Sequence, residues 1–170
     1  MKKLLLKAFL LLAGLGVFFQ FQACKRAHKS SEGTIVVEVR AESPLYEGIN
    51  TAVGIWEVNL QELFPEVDFS KEKISSARFE EVILVIDPNT KVKNAKIEIS
   101  GRNVDMQKIA FANNIAAEES EVQLIVAEEQ KKIERFLQLD RINIVMDADL
   151  AEDLDSDFSA LVKLKLRVNY

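Results

Sequence analysis

The sequence predicts a mainly β protein: an antiparallel β-sandwich, immunoglobulin-like or jelly-roll-like, with one or two short helices, or in a second arrangement a partly open β-barrel. Two observations carry this. After residue 33, apolar and polar residues alternate over about eight short runs, the period of half-buried strands. Helices do not follow most of those runs, as a doubly wound α/β sheet would require.

Residues 34–41 place Ile35, Val37 and Val39 on one face of a first strand. Ser43, Pro44 and Gly48 interrupt the pattern, and residues 49–58 form a second strand. Residues 59–64 read as a short helix capped by Asn59 and stopped by Pro65. Residues 74–86 make a long strand, with Val82, Leu84 and Ile86 on one face and Ala77, Phe79, Ile83 and Val85 on the other. Asp87-Pro88-Asn89-Thr90 supplies turn chemistry, because Pro presets φ and Asp and Asn bond their own backbone. Residues 91–100, carrying Val92, Ala95, Ile97 and Ile99, then read as the second arm of a hairpin.

Gly101-Arg102-Asn103 is the next break, and residues 106–111 and 121–127 are two further strands around a polar stretch at Asn113 and Asn114. Residues 128–139 form the strongest helix signal: Ile133, Phe136 and Leu137 line one stripe, and Glu128 and Lys132 stand four apart. Residues 141–147 and 158–170 return to strand. In the last, Val162, Leu164, Leu166, Val168 and Tyr170 alternate with Lys163, Lys165 and Arg167.

Ahead of this single β-rich domain at 34–170 stand a signal-like segment at 1–23 and a flexible tether at 24–33. Lys2, Lys3 and Lys7 form a positive start, and the uncharged run at 8–19 has the length of a signal h-region. A spanning helix needs roughly 20 apolar residues, and Gln20 and Gln22 end the run before that length. Phe21-Gln22-Ala23-Cys24 resembles the lipobox of bacterial lipoproteins, although Phe21 and Gln22 stand where that family usually has Leu and a small residue. The resemblance implies cleavage before Cys24, which would begin the mature chain and carry its lipid. Lys25, Arg26 and Lys29 then lie beside the membrane, where each basic residue near anionic lipid is worth about 1 kcal/mol. Lys25 is not the Asp that favours inner-membrane retention in enterobacterial lipoproteins, so the resemblance implies an outer-membrane, periplasm-facing site. A soluble secreted or periplasmic protein is the alternative.

Loss of Lys2, Lys3 and Lys7 with the signal segment moves the formal charge from −5 to −8. An acidic body is unsuited to nucleic acid, whose binding rests on Lys and Arg neutralising phosphates. The only histidine, His28, sits in the tether without a packed partner, which excludes a His-dependent triad, and the only cysteine is Cys24. No cofactor is expected.

Within the acidic run at 147–157, Asp153, Asp155 and Asp157 have the spacing of a calcium loop. Phe158 and Leu164 occupy the positions that need Gly and Glu, so the run reads as a solvated turn with at most weak metal candidates. Glu80 with Glu81, and Glu118 with Glu119, read as exposed charge rather than a hydrolytic pair. Trp56, Tyr46, Phe64 and Phe79 read as core aromatics more readily than as a pocket lining. Lys163, Lys165 and Arg167 make a basic stripe, either an interaction surface or the charged guard of an edge strand. The expectation is a non-enzymatic, membrane-anchored binding or accessory module with an envelope protein partner. A carrier of lipid or another apolar ligand stands as one alternative, and a carboxylate-based glycan hydrolase as a remoter one.

Overall fold

A computed structural model describes residues 29–67 and 70–170, so the signal-like segment and Cys24, Lys25, Arg26 and His28 lie outside the described residues. The chain forms nine antiparallel strands: β1 (Ser30–Ala41), β2 (Gly48–Glu57), β3 (Ser76–Ile86), β4 (Val92–Gly101), β5 (Val104–Asn113), β6 (Glu121–Gln123), β7 (Ile125–Val126), β8 (Arg141–Leu150) and β9 (Phe158–Asn169). Two short helices, α1 (Leu60–Leu63) and α2 (Ile133–Leu137), and a 3-10 turn at Lys71–Lys73 join them. The mainly β class is as the sequence predicts, and the strands follow one another in a single sheet, β6-β3-β9-β1-β2-β8-β4-β5-β7. This is the partly open barrel arrangement.

Period-2 patterning builds the wall. Ile35, Val37 and Val39 in β1, Ile142, Ile144 and Met146 in β8, and Val162, Leu164, Leu166 and Val168 in β9 all turn inward and are buried. Among the described residues no polar or charged residue is fully buried, so one apolar core fills the interior. The ladders are long: β1 and β9 pair from Ser30↔Asn169 to Ala41↔Phe158, and β2 and β8 from Gly48↔Leu150 to Glu57↔Arg141.

Three junctions give the sheet its curvature. At the β1–β2 corner the strands share one pair, Arg40↔Val53, before diverging, and a Cβ on Gly54 would run into the Glu38 carbonyl. Glycine is required there because two backbones cross in contact. In β3 a bulge between Phe79 and Glu81 inserts one residue, which reverses the facing of everything beyond it. The third junction closes the sheet. Glu121–Gln123 pairs with β3, Leu124 donates its N–H to Val82 O (2.9 Å), Ile125–Val126 pairs with β5, and Ala127 donates to Ile109 O (2.8 Å). The segment is a strap laced between the two ends of the sheet.

Beyond Ala127 the lacing passes to side chains. Gln130 Oε1 accepts the Phe79 N–H (2.7 Å) and its Nε2 donates to Phe79 O (2.8 Å), at the bulge in β3. Gln107 of β5 accepts the Lys131 N–H (3.0 Å) and donates to Lys131 O.

Several sequence expectations need correction. The tether ends earlier than residue 33, since Ser30 to Gly33 already pair with β9 and Lys29 exchanges backbone hydrogen bonds with Tyr170 (3.1 and 2.9 Å). Ala77 and Phe79 share the inner face with Val82, Leu84 and Ile86, because the bulge flips their parity. The turn at Asp87 forms, with Thr90 N–H donating to Asp87 O (2.8 Å), but β3 pairs with β9 and β6 while β4 pairs with β8 and β5. Turn chemistry specifies a reversal, not the neighbour in the ladder. The helix at 128–139 shrinks to Ile133–Leu137, preceded by Lys132 at φ 57°, because Gln130 and Lys131 are held by lateral bonds. Its buried stripe is the expected one, Ile133, Phe136 and Leu137. In α1, Asn59 Oδ1 accepts the Glu62 N–H (3.2 Å) as its sequence position predicts.

Two substitutions test the junctions. Gln130→Ala strands the Phe79 N–H and C=O and should cost roughly 1–3 kcal/mol in urea unfolding. Gly54→Val should cost about as much or more, since its side chain must displace backbone rather than a movable side chain.

Candidate functional site

Some of the residues singled out by sequence lie outside the described structure, and most of the others have structural partners. Cys24, Lys25 and Arg26 belong to the first group, and Lys29 enters the body at the end of β9.

The basic stripe lies on the outer face of β9, which is an interior strand between β1 and β3, so it does not guard an edge. Its cations are spoken for. Lys163 pairs with Glu121 (3.4 Å), Lys165 with Glu32 (2.8 Å), and Arg167 with Glu80 (2.9 Å) and also with Glu32. The hydrogen bonds from Lys165 and then Arg167 pull the Glu32 carboxyl from its ordinary 4.5 down to about 2, and Glu32 raises both cations in return. The stripe is thus a neutralised ladder across four strands, β6, β3, β9 and β1.

The acidic run is engaged through Asp153 and Asp157, whereas Asp155 between them makes no side-chain bond among the described residues. Asp153 accepts the Glu47 N–H (2.7 Å) and Asp157 the Ser43 N–H (2.8 Å), while Leu45 and Leu154 form a two-way backbone bridge (3.0 and 2.9 Å). The Ser43 bonds, with Arg40 nearby, lower the Asp157 carboxyl. These carboxylates clamp the β1–β2 loop to the β8–β9 loop. Asp147 is partly desolvated, which opposes its charge, but Lys96 (2.8 Å) and the Thr51 hydroxyl (2.8 Å) more than offset this and lower it. Lys96 is raised by Asp147 and then Glu98 (3.0 Å). Among the described residues no group of three His, Cys, Asp or Glu is placed to hold a metal ion.

Of the aromatics, Phe64 and Phe79 are buried, Trp56 is half-buried, and Tyr46 is 65% exposed. They do not line a common cavity.

A groove beside the closure is one feature that sequence reasoning missed. This groove, of about 700 Å³, runs between β5 and the strap, with Val104, Phe111, Ile125 and Val126 as its apolar wall and Lys108, Lys131, Lys132 and Arg135 around it. Its carboxylates are Asp105, Glu128 and Glu129, of which Glu129 pairs with Lys131 (3.0 Å). Lys108 Nζ stands 5.0 Å from the Phe111 ring centroid, where the ring face attracts it. A smaller recess of about 450 Å³ shares Lys108 and Phe111. The sequence signal was Lys131-Lys132 with Arg135, which reads as a helix surface until the strap is known. The groove combines apolar wall and cations, the means to hold an amphipathic anionic group.

Fold and groove together define a small, nearly closed antiparallel barrel with a surface site at its seam. The chain matches no protein family, and a search of curated proteins finds no match.

The Glu32 ladder carries a pH test. A carboxyl lowered in the folded state stabilises it above the unfolded value, and that contribution fades as pH falls from about 4.5 to about 2. Thermal unfolding across that window should show wild type losing stability more steeply than Glu32→Gln, with the two curves converging at the acid end.

Proposed function

We propose that the protein is a lipid-anchored, periplasm-facing envelope lipoprotein whose barrel serves as a non-enzymatic binding module in an envelope protein complex. The carrying observation is Cys24, the only cysteine, directly after a basic start and an uncharged run. Two or three acyl chains at about 0.8 kcal/mol per buried CH₂ would hold such a chain firmly on a membrane. Lys29, only five residues later, is already hydrogen-bonded to Tyr170, so the barrel would sit close to its anchor.

The barrel's interior supports surface recognition over carriage of an apolar ligand. Phe79, Phe136, Ile97, Ile99, Ile109 and Met146 are almost wholly buried and occupy the volume a carrier would need to leave open. The groove at the seam faces outward.

Intact mass of the membrane-extracted protein should equal a chain beginning at Cys24 plus its acyl groups, and Cys24→Ala should move a folded protein into the soluble fraction. A mass equal to the whole 170-residue chain would defeat the anchor. Pull-down of the detergent-solubilised protein should recover an envelope protein in fixed ratio, and repeated recovery of none would defeat the module.

A further inference from the structure

We infer that the groove at the barrel seam receives an extended, acidic segment of a partner protein as an added strand on the outer edge of β5 at residues 104–108. The inference deepens the binding-module reading and rests on it for the partner's being a protein.

The edge comes first. On one side β5 pairs with β4 from Asn94↔Asn113 to Gly101↔Val104. On its other side β7 pairs only with Ala110 and Phe111, and Ala127 adds one bond to Ile109 O. The strap then swings away to β3, where Gln130 bonds both backbone groups of Phe79, and returns to β5 only through the Gln107 side chain at Lys131. Among the described residues no strand pairs with the groove side of residues 104–108, where Gln107 and Val104 turn their backbone to Ile99 and Gly101 and leave Met106 and Lys108 facing outward. Strand edges left open in this way are templates for another chain.

The groove beside that edge has the volume of a ligand site, about 700 Å³ against a usual range of ~300–1,000 Å³. Its chemistry favours a negative guest. Lys108, Lys132 and Arg135 make no ion pair among the described residues, whereas Lys163, Lys165, Arg167, Lys96 and Lys131 all do. With Glu129 paired to Lys131, those three cations outnumber the remaining carboxylates, Asp105 and Glu128. Ile125, 60% exposed, and Phe111 offer apolar contact beside them.

An added strand uses all three features. Its backbone meets the edge of β5, while alternate side chains meet the cations and the apolar wall. An anionic lipid would engage the cations and the wall and leave the peptide edge unmet. The protein segment is therefore the better match.

The test uses the lipidated, detergent-solubilised protein and two end-blocked peptides of seven alternating residues, Val with Glu and Val with Lys. The Glu peptide should bind saturably and slow amide exchange at Met106 and Lys108, whose backbone groups alternate away from β4. The Lys peptide should bind at least about tenfold more weakly, as should the Glu peptide on Lys108→Glu/Arg135→Glu, while Arg135→Lys retains binding. Equal binding of both peptides, protection away from β5, or no saturable binding of the Glu peptide would overturn the inference. Phosphatidylglycerol vesicles that protect the groove where the Glu peptide does not would overturn it in favour of lipid. A pull-down partner captured equally by the doubly reversed variant would overturn the groove's role and leave the module reading standing.

Discussion

Closure of the sheet is the constraint on which the rest of this structure depends. A sheet of this length has two terminal strands whose outward N–H and C=O groups need partners. Here one short segment, from Glu121 to Lys131, serves both ends in turn. It bonds β3, crosses at Leu124, bonds β5, and is then held by two glutamine side chains that imitate ladder pairs. Because closure shields the inner face on all sides, Phe136, Leu137, Ile133 and Phe79 can sit near zero exposure beneath the seam. The core and the strap therefore stabilise one another.

Charge does different work on the outside. Acidic residues outnumber basic ones, yet on the outer wall the charges are arranged in cross-strand ladders: Glu32 between Lys165 and Arg167, and Asp147 and Glu98 about Lys96. Exposed pairs of this kind contribute little individually, typically below about 1 kcal/mol. What they do is fix which side chains face water and so oppose a one-residue slip of register, which would turn every inward Val and Ile outward. At the far end of the barrel Asp153 and Asp157 act on backbone rather than on cations, holding one loop against another.

Alternation made the wall legible. The inner faces of β1, β8 and β9 follow directly from Ile35-Val37-Val39, Ile142-Ile144-Met146 and the Val162–Val168 series, because nothing interrupts a period of two. The Asn59 cap was legible for the same reason, being decided within four residues. Ladder partners were not, since the turn at Asp87 is compatible with a hairpin and with a crossing between walls. Nor was the strap: Gln130 and Gln107 are ordinary polar residues in sequence, and only their positions opposite Phe79 and Lys131 turn them into rungs.

The distribution of those failures is informative. Local reasoning went wrong over the facing of Phe79 and over the helix at 128–132. Both adjoin the seam, whereas the buried residues of β1, β8 and β9, Ile35 to Val39, Ile142 to Leu150 and Phe158 to Val168, alternate without a break. Conflicts between local preference and global structure concentrate where something other than packing sets the backbone. At the seam the competing demand is closure itself: the strap must leave β5 after Ala127 to satisfy the bulge in β3, and in leaving it opens the groove. The groove is thus a geometric consequence of how the barrel closes. A continuous β7 along the whole of β5 would erase it, and would leave Phe79 without its partner.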